Sequence, residues 1–477
     1  MGVLLREVCI VDPAAGVTRP PTDVLVLGDR IVAIGRGMDA GAVPVVEGNG
    51  RFLMPGLIDT HVHLSSLPDA MRDVALRRTL EGGVTRVRDM GGHGPMLVDL
   101  RARSKRAIDD RDQADARPAV YCVAVVAGST WMAADARAAA SAGEGAPGTQ
   151  PWLAAIDDPG RAAGIADAAA AFGVDGLKLY ADMDAEVVEA LSAEARERGL
   201  AVWSHATIFP AKPDAVVAAG VQAVSHAEML FFAADASVPA RYHAAAFGGR
   251  EAEDAKHPAV LDALDQMAAA GTMLEPTLTV TEVRRSRGLV NAAHVAATHA
   301  IVREAERRGV PILAGTDLMI TPGTDGPNIH LELELLVEGA GLSPAAALRG
   351  ATTHAATILG REGELGVVAA GAIADLVLLE RDPLENIGAT RSIAMVIRGG
   401  LVIEPTPVDH GDAGANGEHW RGGGSPGATA GRRVAAMSWF GGHQHAGRHR
   451  PGTPFSRYFD DPFCVCADVL PGRSSAR

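Results

Sequence analysis

Apolar and polar positions divide most of the chain into short strand-like runs separated by Ala-rich helical stretches, between about residues 51 and 359. This alternation predicts βα units and hence a parallel sheet in the α/β class. One strand runs through His61 and His63, and seven more are predicted at 84–88, 119–127, 176–180, 201–204, 223–225, 272–274 and 311–314. Eight such strands are the number that closes a (β/α)8 TIM barrel.

β-rich pieces without intervening helices lie on both sides of this region. Residues 1–46 contain strand-like runs at 8–11, 24–27 and 31–34, separated by Pro and Gly turns. A matching set follows the barrel region at 366–379, 394–398 and 401–403. Each set alone would expose strand edges and an apolar face, so we expect the two sets to pack together.

One buried strand that ends in a possible metal site is predicted by the segment Phe52-Leu53-Met54-Pro55-Gly56-Leu57-Ile58-Asp59-Thr60-His61-Val62-His63-Leu64. Because residues i and i+2 of a strand share a face, His61 and His63 would point the same way and could bind one cation. A (β/α)8 barrel keeps its active site at the carboxyl ends of its strands. The alternative is a pair of solvated or hydrogen-bonded histidines.

Composition excludes several classes of protein. Hydrophobic residues make up 47% and charged residues 21% of 477, as in ordinary globular enzymes. The net charge of −14 is unsuited to binding nucleic acid, and no apolar run approaches the roughly 20 residues of a membrane span. Four cysteines do not make a disulfide framework, so we expect a cytoplasmic protein.

Later strands also end in residues that bind metals. Lys178 lies in a run that should be buried, His205 and His226 follow the next two strands, and Asp317 follows the last. Taken singly, each has an ordinary alternative: a lysine whose amine reaches solvent, two structural histidines, and an aspartate that caps a helix.

Taken together, the series His-x-His, Lys, His, His, Asp on strands one, four, five, six and eight resembles the binuclear amidohydrolases, as does Pro-Gly-Leu-Ile-Asp-Thr-His-Val-His. The resemblance covers about residues 1–405. It implies a metal-dependent hydrolase barrel over 53–364 and a flanking β-sandwich composed of 1–52 and 365–405. Residues 406–477 are rich in Gly, Pro, His and Arg and are predicted to be a disordered tail.

The resemblance also implies the chemistry. His61, His63 and Asp317 would hold one divalent ion, His205 and His226 a second, and a carboxylated Lys178 would bridge them. Metal-activated hydroxide would attack an amide or cyclic amide C–N bond, and Asp317 would transfer the proton to the leaving nitrogen. Neutral imidazole ligands favour zinc without excluding manganese, cobalt or iron.

The segment Asn328-Ile329-His330-Leu331-Glu332 and the residues after it resemble the imidazolonepropionase-like and prolidase-like subgroup. This resemblance places His330 near the substrate, although a position on a helix surface is equally open. Tyr180 is a further candidate for substrate binding, with core packing as the alternative. Dipeptidase relatives carry Gly-Gly-His after the third strand, where this chain has Gly128-Ser129-Thr130.

Three functions remain open at this point: hydrolysis of an amide in a small molecule, deamination by the same kind of site, and a metal-binding barrel without activity. The expected partner is a small-molecule substrate, and a second copy of the chain remains a possible partner. The substrate itself is not predicted.

Overall fold

A computed structural model describes residues 2–245, 253–320 and 326–403 of the chain. The predicted tail at 406–477, with Cys464 and Cys466, lies outside the described residues. No helix of the described part is long and apolar enough to cross a membrane.

The described ranges contain eighteen strands, arranged in two sheets. In chain order they are β1 (Gly2–Asp12), β2 (Val17–Thr18), β3 (Thr22–Leu27), β4 (Arg30–Gly35), β5 (Val45–Glu47), β6 (Phe52–Pro55), β7 (Leu57–Val62), β8 (Val84–Asp89), β9 (Ala119–Ala127), β10 (Thr149–Gln150), β11 (Leu153–Ala155), β12 (Gly176–Leu179), β13 (Ala201–His205), β14 (Ala223–Ser225), β15 (Met273–Glu275), β16 (Leu376–Leu379), β17 (Ile393–Arg398) and β18 (Leu401–Ile403).

Seven parallel strands form the barrel, in the order β7, β8, β9, β12, β13, β14, β15. The segment predicted as the eighth strand, 311–314, is extended but forms only one isolated bridge, between Ile312 and Leu274. It nevertheless closes the barrel, because Thr60 on β7 donates its N–H to the Ala314 carbonyl at 3.2 Å. The predicted α/β barrel is thus confirmed, with an irregular last member.

Thirteen α-helices of the described ranges lie between or after the strands. They are α1 (Asp69–Glu81), α2 (Gly94–Asp109), α3 (Ser129–Ala134), α4 (Ala136–Ser141), α5 (Ala162–Phe172), α6 (Ala185–Glu197), α7 (Pro213–Ala218), α8 (Pro258–Ala270), α9 (Leu278–Ser286), α10 (Ala292–Arg307), α11 (Ile329–Glu334), α12 (Pro344–Gly350) and α13 (Thr353–Ile358).

The helix ends show why the sequence produces this alternation. Helix α6 ends as its Arg-rich last turn predicts, and Gly199 beyond it adopts the left-handed φ of +70°. Helix α4 begins after Asp135, whose carboxylate caps the helix by accepting from the N–H of Arg137.

Strands from both ends of the chain form the second sheet, in the order β18, β17, β16, β6, β1, β3, β4, with β2 and β5 paired to β1. The segment 52–64, predicted as one strand, is divided at Gly56 between the two sheets. A Cβ at Gly56 would lie 2.4 Å from the Thr85 side chain, so the chain passes between the sheets where only glycine fits. The flanking sheet therefore extends to Pro55, beyond the expected boundary at residue 52.

A buried ion pair joins the barrel to the flanking sheet. Arg86 on β8 donates from Nε to Asp375 Oδ2 at 2.8 Å, and both side chains are less than a tenth exposed. The other oxygen of Asp375 accepts from the N–H of Gly399 at 2.7 Å, in the turn between β17 and β18. One carboxylate thus holds the end of the chain's last described hairpin against the barrel.

Asp375→Ala should lower the free energy of unfolding by about 3 to 5 kcal/mol, because it leaves the Arg86 guanidinium buried without its partner. Urea unfolding would measure the loss. Glu47→Ala is the control, since Glu47 pairs with Arg6 in an exposed bridge whose loss should cost at most about 1 kcal/mol. Equal losses in the two variants would contradict the structural role of Asp375.

Candidate metal centre

Four histidine rings lie in one chain of contacts at the carboxyl end of the barrel strands. Ring centroids are 5.2 Å apart for His61 and His63, 5.3 Å for His61 and His226, and 4.9 Å for His205 and His226. The barrel therefore brings together the ends of β7, β13 and β14, as the positions of the histidines in sequence predicted.

Asp317 reaches this group from the segment that closes the barrel. Its Oδ1 atom lies 3.0 Å from His63 Nε2 and 3.4 Å from His61 Nε2. Possible ligand atoms of His61, His63 and Asp317 all lie within 4.8 Å of one another, the spacing of groups that hold one metal ion.

The second nitrogen of each ring determines which nitrogen is available as a ligand. His61 Nδ1 lies 2.7 Å from Glu275 Oε2, and His63 Nδ1 lies 3.0 Å from the Gly91 carbonyl. Each acceptor requires Nδ1–H, so in the neutral tautomer Nε2 carries the lone pair. Both lone pairs then face Asp317, an arrangement that a cation between the three groups would stabilise.

His226 follows the same rule. Its Nδ1 lies 2.9 Å from Thr277 Oγ1, and that hydroxyl donates its own proton to the Pro276 carbonyl. Nδ1 must therefore be the donor, which leaves Nε2 as the lone-pair atom. Burial lowers the pKa of His226 to about 3, so the ring is neutral, the form that binds metal.

His205 has a different environment. Within the described ranges its Nδ1 is buried without a hydrogen-bond partner, and Tyr180 covers the ring at a centroid distance of 4.1 Å. Burial also lowers the pKa of His205 well below the ordinary value. A neutral ring with an unsatisfied buried nitrogen fits a metal ligand.

Lys178 is fully buried on β12 and belongs to the same network. Its Nζ donates to Ser225 Oγ at 2.8 Å, and Ser225 donates to Glu275 Oε2 at 2.9 Å. Burial lowers the pKa of Lys178 to about 7, so a large fraction of the amine is neutral and nucleophilic at neutral pH. The alternative that its amine reaches solvent is excluded, because the residue has no exposed surface.

Glu275, the last residue of β15, is a part of the site that the sequence reasoning missed. It is completely buried and accepts hydrogen bonds from His61, Ser225 and Arg88, the last at 2.7 Å. Burial raises its pKa, but the charge of Arg88 and the hydrogen bond from His61 outweigh burial and hold it well below its usual value. A lone acid at the end of the apolar run Met273-Leu274-Glu275 was the signal available in the sequence.

Two of the candidate ligands have strained backbones. His226 and Asp317 adopt positive φ values of +68° and +57°, which cost a non-glycine residue about 1 to 3 kcal/mol. The Asp59 carboxylate stabilises the second of these turns by accepting from the N–H of Thr316 at 3.0 Å and from its hydroxyl at 2.8 Å. Such strain is characteristic of functional sites.

The two residues expected to contact substrate are placed differently. Tyr180 packs on His205 and is therefore adjacent to the cluster. His330 is not: its Nε2 bonds the carbonyl of Gly82, just before β8, whereas the carboxyl end of β8 faces the site. At about 3.3 Å per residue, the six residues of β8 separate these ends by about 20 Å.

The expectation that His330 contacts substrate is therefore not met. Its Nδ1 is also engaged, at 3.0 Å from Thr390 Oγ1, so the imidazole ties α11 to the chain near the flanking sheet. The alternative of a helix surface is wrong as well, because His330 is only 2% exposed. In sequence, nothing distinguishes a histidine buried behind a barrel from one at its mouth.

Comparisons with known proteins agree with this geometry. The amidohydrolase family matches residues 52–403. An imidazolonepropionase of Aromatoleum aromaticum is 29% identical over 368 residues, covering 72% of this chain and 81% of that protein.

Two solved structures resemble the fold. A putative prolidase from Bifidobacterium longum has a TM-score of 0.62 at 25% identity, covering 84% of this chain and 94% of that one. A Xaa-Pro dipeptidase with methionine bound in its active site has a TM-score of 0.64 at 20% identity, covering 85% and 100%. The chain belongs to the amidohydrolase family, and it is a hydrolase that acts on carbon–nitrogen bonds.

Proposed function

We propose that this protein holds two divalent metal ions and uses them to hydrolyse an amide or cyclic amide bond of a small molecule. The observation that carries the proposal is the convergence of His61, His63 and Asp317 to within 4.8 Å, beside His226, His205 and Lys178. Imidazole and carboxylate ligands suit zinc, which we propose as the metal.

The residues divide between two positions. His61, His63 and Asp317 would hold one ion, and His226 with His205 would hold the other. In this assignment Lys178 would lie between them, and the Ser225–Glu275 chain connects its amine to His61. Four neutral imidazoles and one aspartate leave most of the charge of two divalent ions uncompensated, so a bridging anion is needed. A carboxylated Lys178 would supply it.

Bound divalent ions lower the pKa of water toward 7 and polarise a carbonyl group. Asp317 supplies the proton transfer: its carboxylate accepts a proton from the attacking water and delivers it to the leaving nitrogen. His61, His63 and His226 outweigh the effect of burial and hold the pKa of Asp317 well below its usual value, so it is a carboxylate at neutral pH, the form that can accept a proton. Tyr180, packed on His205, would contact the substrate beside the second ion.

The substrate class is proposed from both the site and its relatives. The imidazolonepropionase relative is named for a cyclic substrate, and the fold neighbours include dipeptidases. A cyclic or linear amide of a small molecule is the class that these share, and we propose the cytoplasm as the place of action. Screening N-acyl amino acids, dipeptides and lactams, with separate detection of ammonia, would distinguish an amidase from a deaminase.

Elemental analysis of the protein after reconstitution with Zn²⁺ should find about two ions per chain, because six suitable ligands meet at one end of the barrel. Removal of the ions by a chelator should abolish turnover, and their return should restore it. A folded protein that binds no metal would refute the proposed function.

Lys178→Ala should lose metal and activity together, because the bridging anion is gone. Formate or acetate should restore part of both by occupying the same position. Lys212→Ala is the matched control, since the Lys212 amine bonds only the carbonyl of Asp235 among the described contacts. Undiminished metal content in Lys178→Ala would contradict the bridging role and favour one ion held by His61, His63, His205 and Asp317.

Asp317→Asn should retain the fold and most of the metal but lower kcat by about 100- to 10 000-fold, the usual contribution of proton transfer. An amide oxygen can still bind a metal but cannot carry the proton. Asp382→Asn is a suitable control, because Asp382 bonds Thr18 in the flanking sheet. Unchanged kcat in Asp317→Asn would exclude this role.

A further inference from the structure

Glu275 is the point at which the two halves of the candidate metal centre meet. Its Oε2 atom accepts from both His61 Nδ1 and Ser225 Oγ, at 2.7 and 2.9 Å. Ser225 in turn accepts from Lys178 Nζ at 2.8 Å. One oxygen atom therefore contacts a ligand of the first ion directly and the bridging lysine through a single hydroxyl.

The other oxygen of Glu275 is held by a buried cation. Arg88 Nη2 donates to Oε1 at 2.7 Å, Arg88 Nε donates to the Thr60 carbonyl on β7 at 2.7 Å, and the guanidinium stacks over Trp203 at 4.4 Å. Both members of this ion pair have no exposed surface. The carboxylate thus has a fixed orientation, because contacts from three strands other than its own determine it.

We propose that Glu275 is a positioning residue that couples the two metal ions, by fixing the His61 ring directly and the Lys178 amine through Ser225. The inference rests on the proposed two-metal function. In the connection to His61, the Glu275 carboxylate keeps the proton on Nδ1, so that Nε2 would face the metal. The same hydrogen bond makes the imidazole a stronger metal ligand.

The connection to Lys178 requires that the hydrogen bond from its nitrogen to Ser225 Oγ persist after the lysine reacts with carbon dioxide. The neutral amine attacks the carbon, an N–C bond forms, one C=O electron pair moves onto oxygen, and one N–H proton passes to solvent. The resulting carbamate nitrogen retains a single N–H. Ser225 Oγ can accept that hydrogen as it accepts one from the amine, because its own proton is committed to Glu275. The Ser225 hydroxyl thus suits both states.

The test measures Zn²⁺ affinity by competition with a chromophoric chelator in the full-length protein, together with the absorption spectrum of the Co²⁺-loaded form. Three variants are needed. Glu275→Gln keeps the size of the side chain but removes its charge. Ser225→Ala removes only the hydroxyl that links Lys178 to Glu275. Glu332→Gln is the control, because Glu332 is equally buried but caps α9 by accepting from the N–H groups of Leu278 and Thr279.

We expect Glu275→Gln to weaken binding of both zinc equivalents by about 10- to 100-fold, the usual effect of losing such a partner, and to change the Co²⁺ bands of both sites. Because a carboxylated Lys178 would bridge both ions, Ser225→Ala should weaken both equivalents, but by less than Glu275→Gln, since the contact of Glu275 with His61 remains. Glu332→Gln should bind zinc as the wild type does, even if its melting temperature falls.

Wild-type affinity for both equivalents in folded Glu275→Gln would overturn the inference while leaving the proposed function intact. If Glu275→Gln does not fold, Ser225→Ala decides, because it removes one hydroxyl and leaves the Glu275–Arg88 pair in place. Full retention of both equivalents in that variant would refute the coupling through Ser225. A wild-type protein that binds no zinc would instead remove the proposed function and, with it, this inference.

Discussion

The seam where residues 311–317 meet β7 is the contact on which the candidate site depends. Thr60 bonds the Ala314 carbonyl, the N–H of Asp317 bonds the His61 carbonyl at 2.8 Å, and Asp59 holds Thr316, 257 positions away in sequence. These bonds close the barrel and set Asp317 beside His61 and His63 at the same time. The same hydrogen bonds therefore close the barrel and position Asp317. In a barrel open at this seam, His61 and His63 would lack the Asp317 carboxylate beside them.

Charge explains why this seam can be buried. Asp59, Glu275 and Asp317 lie close together away from solvent, where like charges are expensive unless cations face them. Arg88 compensates Glu275, and the nearby histidines hold the pKa of Asp317 low, whereas burial raises the pKa of Asp59 to about 7 despite its three hydrogen bonds from Thr316 and His61. Asp59 thus differs in charge state from Glu275 and Asp317, because its hydrogen-bond donors are a neutral hydroxyl and backbone N–H groups. Cations bound at the histidines would further favour the ionised form of the acids nearest to them.

The grouping of the candidate ligands at one end of the barrel could be predicted from the sequence. Each one lies in or just after an apolar run, and strand ends meet in a closed barrel wherever the intervening helices lie. What could not be predicted depends on pairing across strands. The role of Glu275 follows from its contacts with His61 and Arg88, and the role of Ser225 follows from its position between Lys178 and Glu275. The division of 52–64 at Gly56 depends on Thr85 approaching from another strand. His330 was misplaced because a local motif does not say which end of the barrel a helix approaches.

The strained turns give a physical reason for the dense hydrogen bonding around the candidate ligands. His226, Thr277 and Asp317 all have positive φ, so the free backbone would relax away from these conformations. Each is held by a hydrogen bond to another segment. The His226 N–H donates to the Glu275 carbonyl at 2.9 Å, Thr277 Oγ1 accepts from His226 Nδ1, and the Asp317 N–H donates to the His61 carbonyl. The energy that stabilises the barrel therefore keeps these candidate ligands oriented without a bound cation. Preorganisation of this kind reduces the conformational entropy that metal binding would otherwise cost.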